Sequence, residues 1–137
     1  MKRLTIILFA AACVFLAGCG KNVEKARIAF DKGVELLYNS SRFAEAEQYF
    51  TTAIKYDKDN HEAYYLRGCA KFNRGLYDAA IIDFEKALEV KPNYSDAEFV
   101  LGRTYFIKKD FDMSCYYYRL AELHGRPNME DYVKTCD

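Results

Sequence analysis

The sequence predicts an all-α chain made of three helical hairpins and a short closing helix. Three observations carry this reading. A set of small and aromatic residues recurs every 34 residues. Strand signals are missing, with no sustained apolar–polar alternation and no Asn-Gly or Asp-Gly hairpin. Two prolines and seven glycines in 137 residues leave little material for a loop-built or disordered chain.

The recurrence is clearest from residue 63 to residue 121. Ala63, Gly68, Tyr77, Ala80, Phe84 and Ala87 are each followed 34 residues later by Ala97, Gly102, Phe111, Ser114, Tyr118 and Ala121. The small residues let two helices approach closely, the aromatics fill the wedge between them, and Pro92 ends a helix because it cannot continue one. This pattern resembles the tetratricopeptide repeat, a pair of helices with that period. The resemblance implies three helix-turn-helix repeats over 26–60, 61–94 and 95–127, stacked as a right-handed α-solenoid, with a capping helix over 128–137.

The outer repeats follow with departures. Phe43, Ala46, Phe50 and Ala53 precede Tyr77, Ala80, Phe84 and Ala87 by 34 residues, but Gly33 falls one residue out of register. An extra residue in the turn around Asn39-Ser40-Ser41 accounts for that. Lys58 stands where the stop proline is expected, so polar turn chemistry over Asp57 to Asn60 must end the helix. Arg67 takes a place the family usually gives to Leu. In the third repeat Ser114 replaces the small Ala, Pro127 comes one place late, and Tyr116 to Gly125 resemble the related Sel1-like repeat. Met129, Tyr132, Val133 and Cys136 then form one apolar helical face, as a cap over the last repeat requires.

The first eighteen residues read as a signal peptide. Lys2 and Arg3 precede an apolar run from Leu4 to Leu16, broken only by Thr5 and shorter than the roughly 20 residues that span a bilayer. Leu16-Ala17-Gly18-Cys19 resembles the bacterial lipobox, which implies cleavage before Cys19 and a diacylglycerol on its thiol. An ordinary signal peptide and an uncleaved anchor are the alternatives. Residues 19–25 become the lipid attachment and a short tether. Gly20 resembles a residue that permits sorting to the outer membrane of two-membrane bacteria, which implies the periplasmic face. Lys2 and Arg3 leave with the signal and no acid does, so 20 bases fall to 18 against 20 acids.

That charge balance offers nothing for nucleic acid. No catalytic constellation, phosphate loop or metal-ligand spacing appears, since His61 and His124 are isolated, so neither an enzyme nor a small-molecule substrate is expected. The covalent lipid on Cys19 is the only cofactor-like group implied. Acidic runs such as Asp83-Phe84-Glu85 read as solvated helix faces. Cys115 and Cys136 fall opposite each other across the antiparallel hairpin of the last two helices, which suggests a disulfide pinning the cap; two buried free thiols are the alternative. Cys69 is expected to lack a partner within the chain.

By resemblance, the first helices of the repeats line a concave binding groove. Its lining includes Phe30, Val34, Leu37, Tyr65, Cys69, Phe72, Phe99, Arg103 and Phe106. Tyr38, Glu62 and Asp96 share the face. The family's carboxylate-gripping positions hold Phe30, Val34, Leu66 and Glu62, so a C-terminal carboxylate is not the expected guest. An apolar, aromatic groove with Arg103 as its central cation suits a bulky peptide or an amphipathic partner helix. The protein's own N-terminal linker could instead fill it, and some of these rings could be core. Three functions remain open: a lipid-anchored adaptor with a protein or peptide partner, a structural subunit of an outer-membrane, pilus or cell-wall assembly, and a scaffold self-associating through Tyr116 and Tyr117.

Overall fold

The computed structural model describes residues 22–136, which form seven helices and no strand. α1 spans 22–39, α2 Phe43–Tyr56, α3 His61–Asn73, α4 Tyr77–Val90, α5 Ser95–Ile107, α6 Phe111–Leu123 and α7 Glu130–Lys134. α1/α2, α3/α4 and α5/α6 pair as three hairpins, and α7 packs on α6 as a short C-terminal helix. Cys19 and the first eighteen residues, expected as a signal peptide, lie outside the described residues. Residues 22–25, expected as tether, are already helical. Arg27 pairs with Glu24 one turn before it and Asp31 one turn after, and Ala26 is buried, so the amphipathic pattern starts earlier than the repeat does.

Each hairpin closes on a glycine. A methyl placed on Gly33 would stand 2.7 Å from the Phe50 ring, one on Gly68 2.6 Å from Phe84, and one on Gly102 2.5 Å from Tyr118. The hairpin turns repeat as well. Ser41, Gly75 and Lys109 take the left-handed backbone region at φ 50, 75 and 62. The additional residue of the first repeat is visible in the turn hydrogen bonds. Leu76 N and Asp110 N donate to Lys71 O and Tyr105 O, five residues back, while Arg42 N donates to Leu36 O, six back. Between repeats, Asn60 Oδ1 caps α3 by accepting from Ala63 N at 2.9 Å, and Asp57 Oδ1 accepts from Asp59 N at 3.2 Å. These bonds end α2 where a proline ends α4.

Two buried carboxylates tie neighbouring helices. Asp83, expected on a solvated face, is 2% exposed on α4. It accepts from Arg67 Nε and Nη2 at 2.9 and 2.6 Å, and Lys71 Nζ lies 2.8 Å away. The Leu-to-Arg departure at position 67 is therefore matched by a buried acid across the hairpin. Glu98, also 2% exposed, meets His124 Nδ1 at 2.7 Å, so His124 joins the C-terminus of α6 to α5.

The cap seals the last hairpin. Met129 is buried with Phe99, Tyr118 and Ala121, and Val133 and Cys136 pack beside them. Cys115 and Cys136 are joined as a disulfide with Cα atoms 5.5 Å apart, and Cys69 is a free cysteine.

Candidate functional site

The face made by α1, α3 and α5, with α7 at its end, carries two clefts rather than one continuous apolar groove. The first, about 490 Å³, lies where the end of α1 meets the starts of α3 and α5. Phe30 and Val34 sit one helical turn apart on α1, and Tyr65 and Leu66 come from the second turn of α3. Tyr38 and Tyr94 complete the apolar wall, and Asp31, Glu62 and Asp96 supply carboxylates. The Tyr65 and Tyr94 rings are 5.2 Å apart, and His61 packs edge-on to Tyr94 at the same distance. The four positions Phe30, Val34, Glu62 and Leu66 all line this cleft. Its lining includes no Lys, Arg or His.

The expected description of the groove as apolar with one cation is therefore corrected at this end. Burial, then the nearby Asp96 and Glu62 charges, raise the Tyr94 phenol above its ordinary value. Tyr38 is raised chiefly by burial, with Cys69, Glu62 and Asp96 adding. Tyr65 is raised by burial first and by Cys69 next. These phenols stay protonated and can act as donors.

The second cleft, about 320 Å³, lies between α5, α6 and α7. Arg103, Phe106 and Ile107 form one wall, and Tyr118, Asp131, Tyr132 and Thr135 the other. Phe106 is 52% exposed and meets Phe111 edge-on at 5.6 Å. Arg103 holds its guanidinium 5.5 Å from the Phe72 ring centre and 5.9 Å from that of Phe99. Cys69 and Phe72 pack half-buried against Ala80, Phe84 and Leu101. Burial pushes the Cys69 thiol up to about 12, against the opposing pull of a Tyr65 hydrogen bond and the Arg103 charge.

Two residues expected in the groove are not available to a guest. Leu37 is buried in a core cluster with Leu36, Ala46, Phe50, Leu66 and Ala70. Phe99 is buried because the cap covers it. Tyr132 meets it edge-on at 5.1 Å and the Arg126 guanidinium sits 4.0 Å from its ring centre. Asp31 and Tyr94 in the first cleft were not anticipated, nor were Tyr118, Asp131, Tyr132 and Thr135 in the second. Tyr94 precedes α5 and lies outside the helical positions that define the groove, so its place depends on how the chain enters that helix.

Residues 30–94 and 65–128 match the profile of the tetratricopeptide repeat. The chain belongs to the tetratricopeptide repeat family. Hsp70-Hsp90 organizing protein 1 of Glycine max is 29% identical over 118 residues, covering 85% of this chain and 20% of the relative. This repeat chain therefore spans about a fifth of that relative's length. Among solved structures, the Arabidopsis OM64 TPR domain superposes with a TM-score of 0.77 at 20% identity, over 83% of this chain and 98% of that one. The first TPR of Spaghetti, bound to the HSP90 peptide SRMEEVD, superposes with a TM-score of 0.77 at 18% identity, over 83% of this chain and 91% of that one. These likenesses establish the tetratricopeptide fold.

Proposed function

We propose that this chain is a lipid-anchored adaptor that binds a partner peptide or helix along the face made by α1, α3 and α5. The observation that carries the reading is the pair of aromatic clefts on that face, with Phe106 and Ile107 left exposed beside Arg103. Exposed rings and an arginine in concave sites are the usual anchors of protein recognition. The first TPR of Spaghetti binds an HSP90 peptide, which supports the same use of the fold. The lipobox-like Leu16-Ala17-Gly18-Cys19 supports the anchor, with the periplasmic face of the outer membrane as its place. The two acyl chains of one diacylglycerol give stable membrane attachment, since each buried methylene contributes ~0.8 kcal/mol.

The test is a detergent pull-down of the full chain from its native envelope, wild type beside Phe72→Ala/Phe106→Ala, with both folds checked by circular dichroism. Specific partners should be lost from the double variant. Retention of every partner at wild-type level would remove the groove reading. Co-purification in fixed ratio, unchanged by the substitutions, would favour an assembly subunit instead. The anchor is tested separately: Cys19→Ala should release the chain from membranes and abolish incorporation of an alkyne-tagged fatty acid.

A further inference from the structure

The first cleft has walls that suit one class of side chain. Its floor and sides are rings and aliphatic groups, Phe30, Val34, Tyr65 and Tyr94, and its charges are all negative. The carboxylates differ in how they are engaged. Asp31 is already paired with Arg27 at 3.4 Å, and Asp96 is paired with Arg126. No ion pair among the described residues involves Glu62, which is exposed in the first turn of α3. The cleft thus keeps a carboxylate outside any ion pair among the described residues beside two phenol rings in contact, Tyr65 and Tyr94.

Lys91, which lines a neighbouring hollow and not this cleft, shows what the Tyr94 ring attracts. Its ammonium lies 4.5 Å from the centre of the Tyr94 ring. A cation over an aromatic face is drawn by the ring quadrupole, and the attraction grows as the site is desolvated. An acidic guest such as the SRMEEVD peptide, named with the Spaghetti domain, would instead meet Glu62 and Asp96 with like charge.

We infer that the first cleft is a cation subsite, which takes a Lys or Arg side chain of the bound peptide against Tyr65 and Tyr94 with Glu62 as its counter-charge. The aliphatic stem of such a side chain packs on Phe30 and Val34 while its charged head reaches the carboxylates. This rests on the adaptor reading and makes it narrower. The guest is basic where it meets the start of α3, and apolar where it meets Phe106.

The experiment pans a phage-displayed random dodecamer library against the full chain, as wild type, Glu62→Gln and Glu62→Lys, with fold checked by circular dichroism. Wild type should enrich peptides with Lys or Arg at a fixed spacing from a bulky apolar residue. The best of these, made synthetically, should bind Glu62→Gln about threefold more weakly, the size of one exposed ion pair. Its binding should weaken further in high salt, and replacing its basic residue by norleucine should cost about tenfold, because the cation–π contact is lost with the ion pair. Enrichment without basic residues, or equal binding by the lysine and norleucine peptides, overturns the cation subsite. If such peptides still lose affinity in Phe72→Ala/Phe106→Ala, the adaptor reading survives that failure. Enrichment of nothing on any form overturns both, the clefts then being occupied by residues 1–21 or by a second copy of the chain.

Discussion

Arg67 crosses from α3 to α4 and grips Asp83 with both ends of its guanidinium fork, Nε to Oδ2 and Nη2 to Oδ1. Lys71 closes on the same carboxylate from the next turn of α3, and Thr51 Oγ1 accepts the remaining Arg67 Nη1 at 3.1 Å. Three helices are thereby fastened through one arginine. Asp83→Ala should destabilise the chain by about 3 kcal/mol, because two cations lose their shared partner in a largely dry site. Replacing both Arg67 and Asp83 by Leu should recover most of that loss, since an apolar pair of similar volume carries no desolvation penalty. Urea unfolding of the single and double variants decides it; a double variant as weak as Asp83→Ala would show that the pair does more than neutralise itself.

The contact between Gly68 and Phe84 gives a second expectation. A methyl on Gly68 must displace the ring, which is fully enclosed, so Gly68→Ala should destabilise by about 2 kcal/mol. Lys109 presents the opposite case. It occupies the left-handed region that Gly75 occupies one repeat earlier, so Lys109→Gly should stabilise by roughly 0.5–1 kcal/mol despite the added freedom of the unfolded chain. A lower midpoint for Lys109→Gly in thermal unfolding would count against the strain.

Cutting the cap loose is a third. Cys115→Ala/Cys136→Ala should lower stability by about 3 kcal/mol if the link acts chiefly on the unfolded chain. Amide exchange should rise over Met129 to Cys136 and at Phe99, whose cover is the cap. Unchanged exchange at Phe99 would mean that Met129 and Tyr132 hold the cap without the covalent link.

The Cys69 thiol supplies a fourth. With its pKa pushed to about 12 by burial, almost none of it is thiolate at pH 8. Iodoacetamide should therefore label Cys69 in the native full chain at least about 100-fold more slowly than in the urea-unfolded chain, where the thiol titrates near 8.5. Peptide mass mapping follows this cysteine alone. Equal rates would show that the groove wall opens around it.

The hairpins were legible because they follow local rules. The glycine–aromatic spacing recurs with a single period, and the first repeat's additional residue announced itself through Gly33, whereas Ser41 and Lys109 carry no glycine to mark their left-handed turns. What was not legible depends on groups brought together from separate elements. Asp83 reads as a surface acid until Arg67, on another helix, is placed opposite it. Phe99 reads as groove lining until α7 lands on it, and nothing in the Met129–Cys136 pattern states how far that helix reaches. The acidic character of the first cleft comes from Asp31, Glu62 and Asp96, which stand in three different hairpins and share a wall only when those hairpins stack.

The cap has one more bearing on what the chain can recognise. By lying where a fourth repeat would begin, α7 ends the row of α1, α3 and α5 and walls off its far side. Neighbouring helices pack about 8–10 Å apart, so that face is about 20 Å across. An extended guest advancing ~3.3 Å per residue fits about six residues into that width. A footprint so short carries little information. Discrimination must come from two anchoring side chains, and the chain should accept a class of short segments instead of a single sequence.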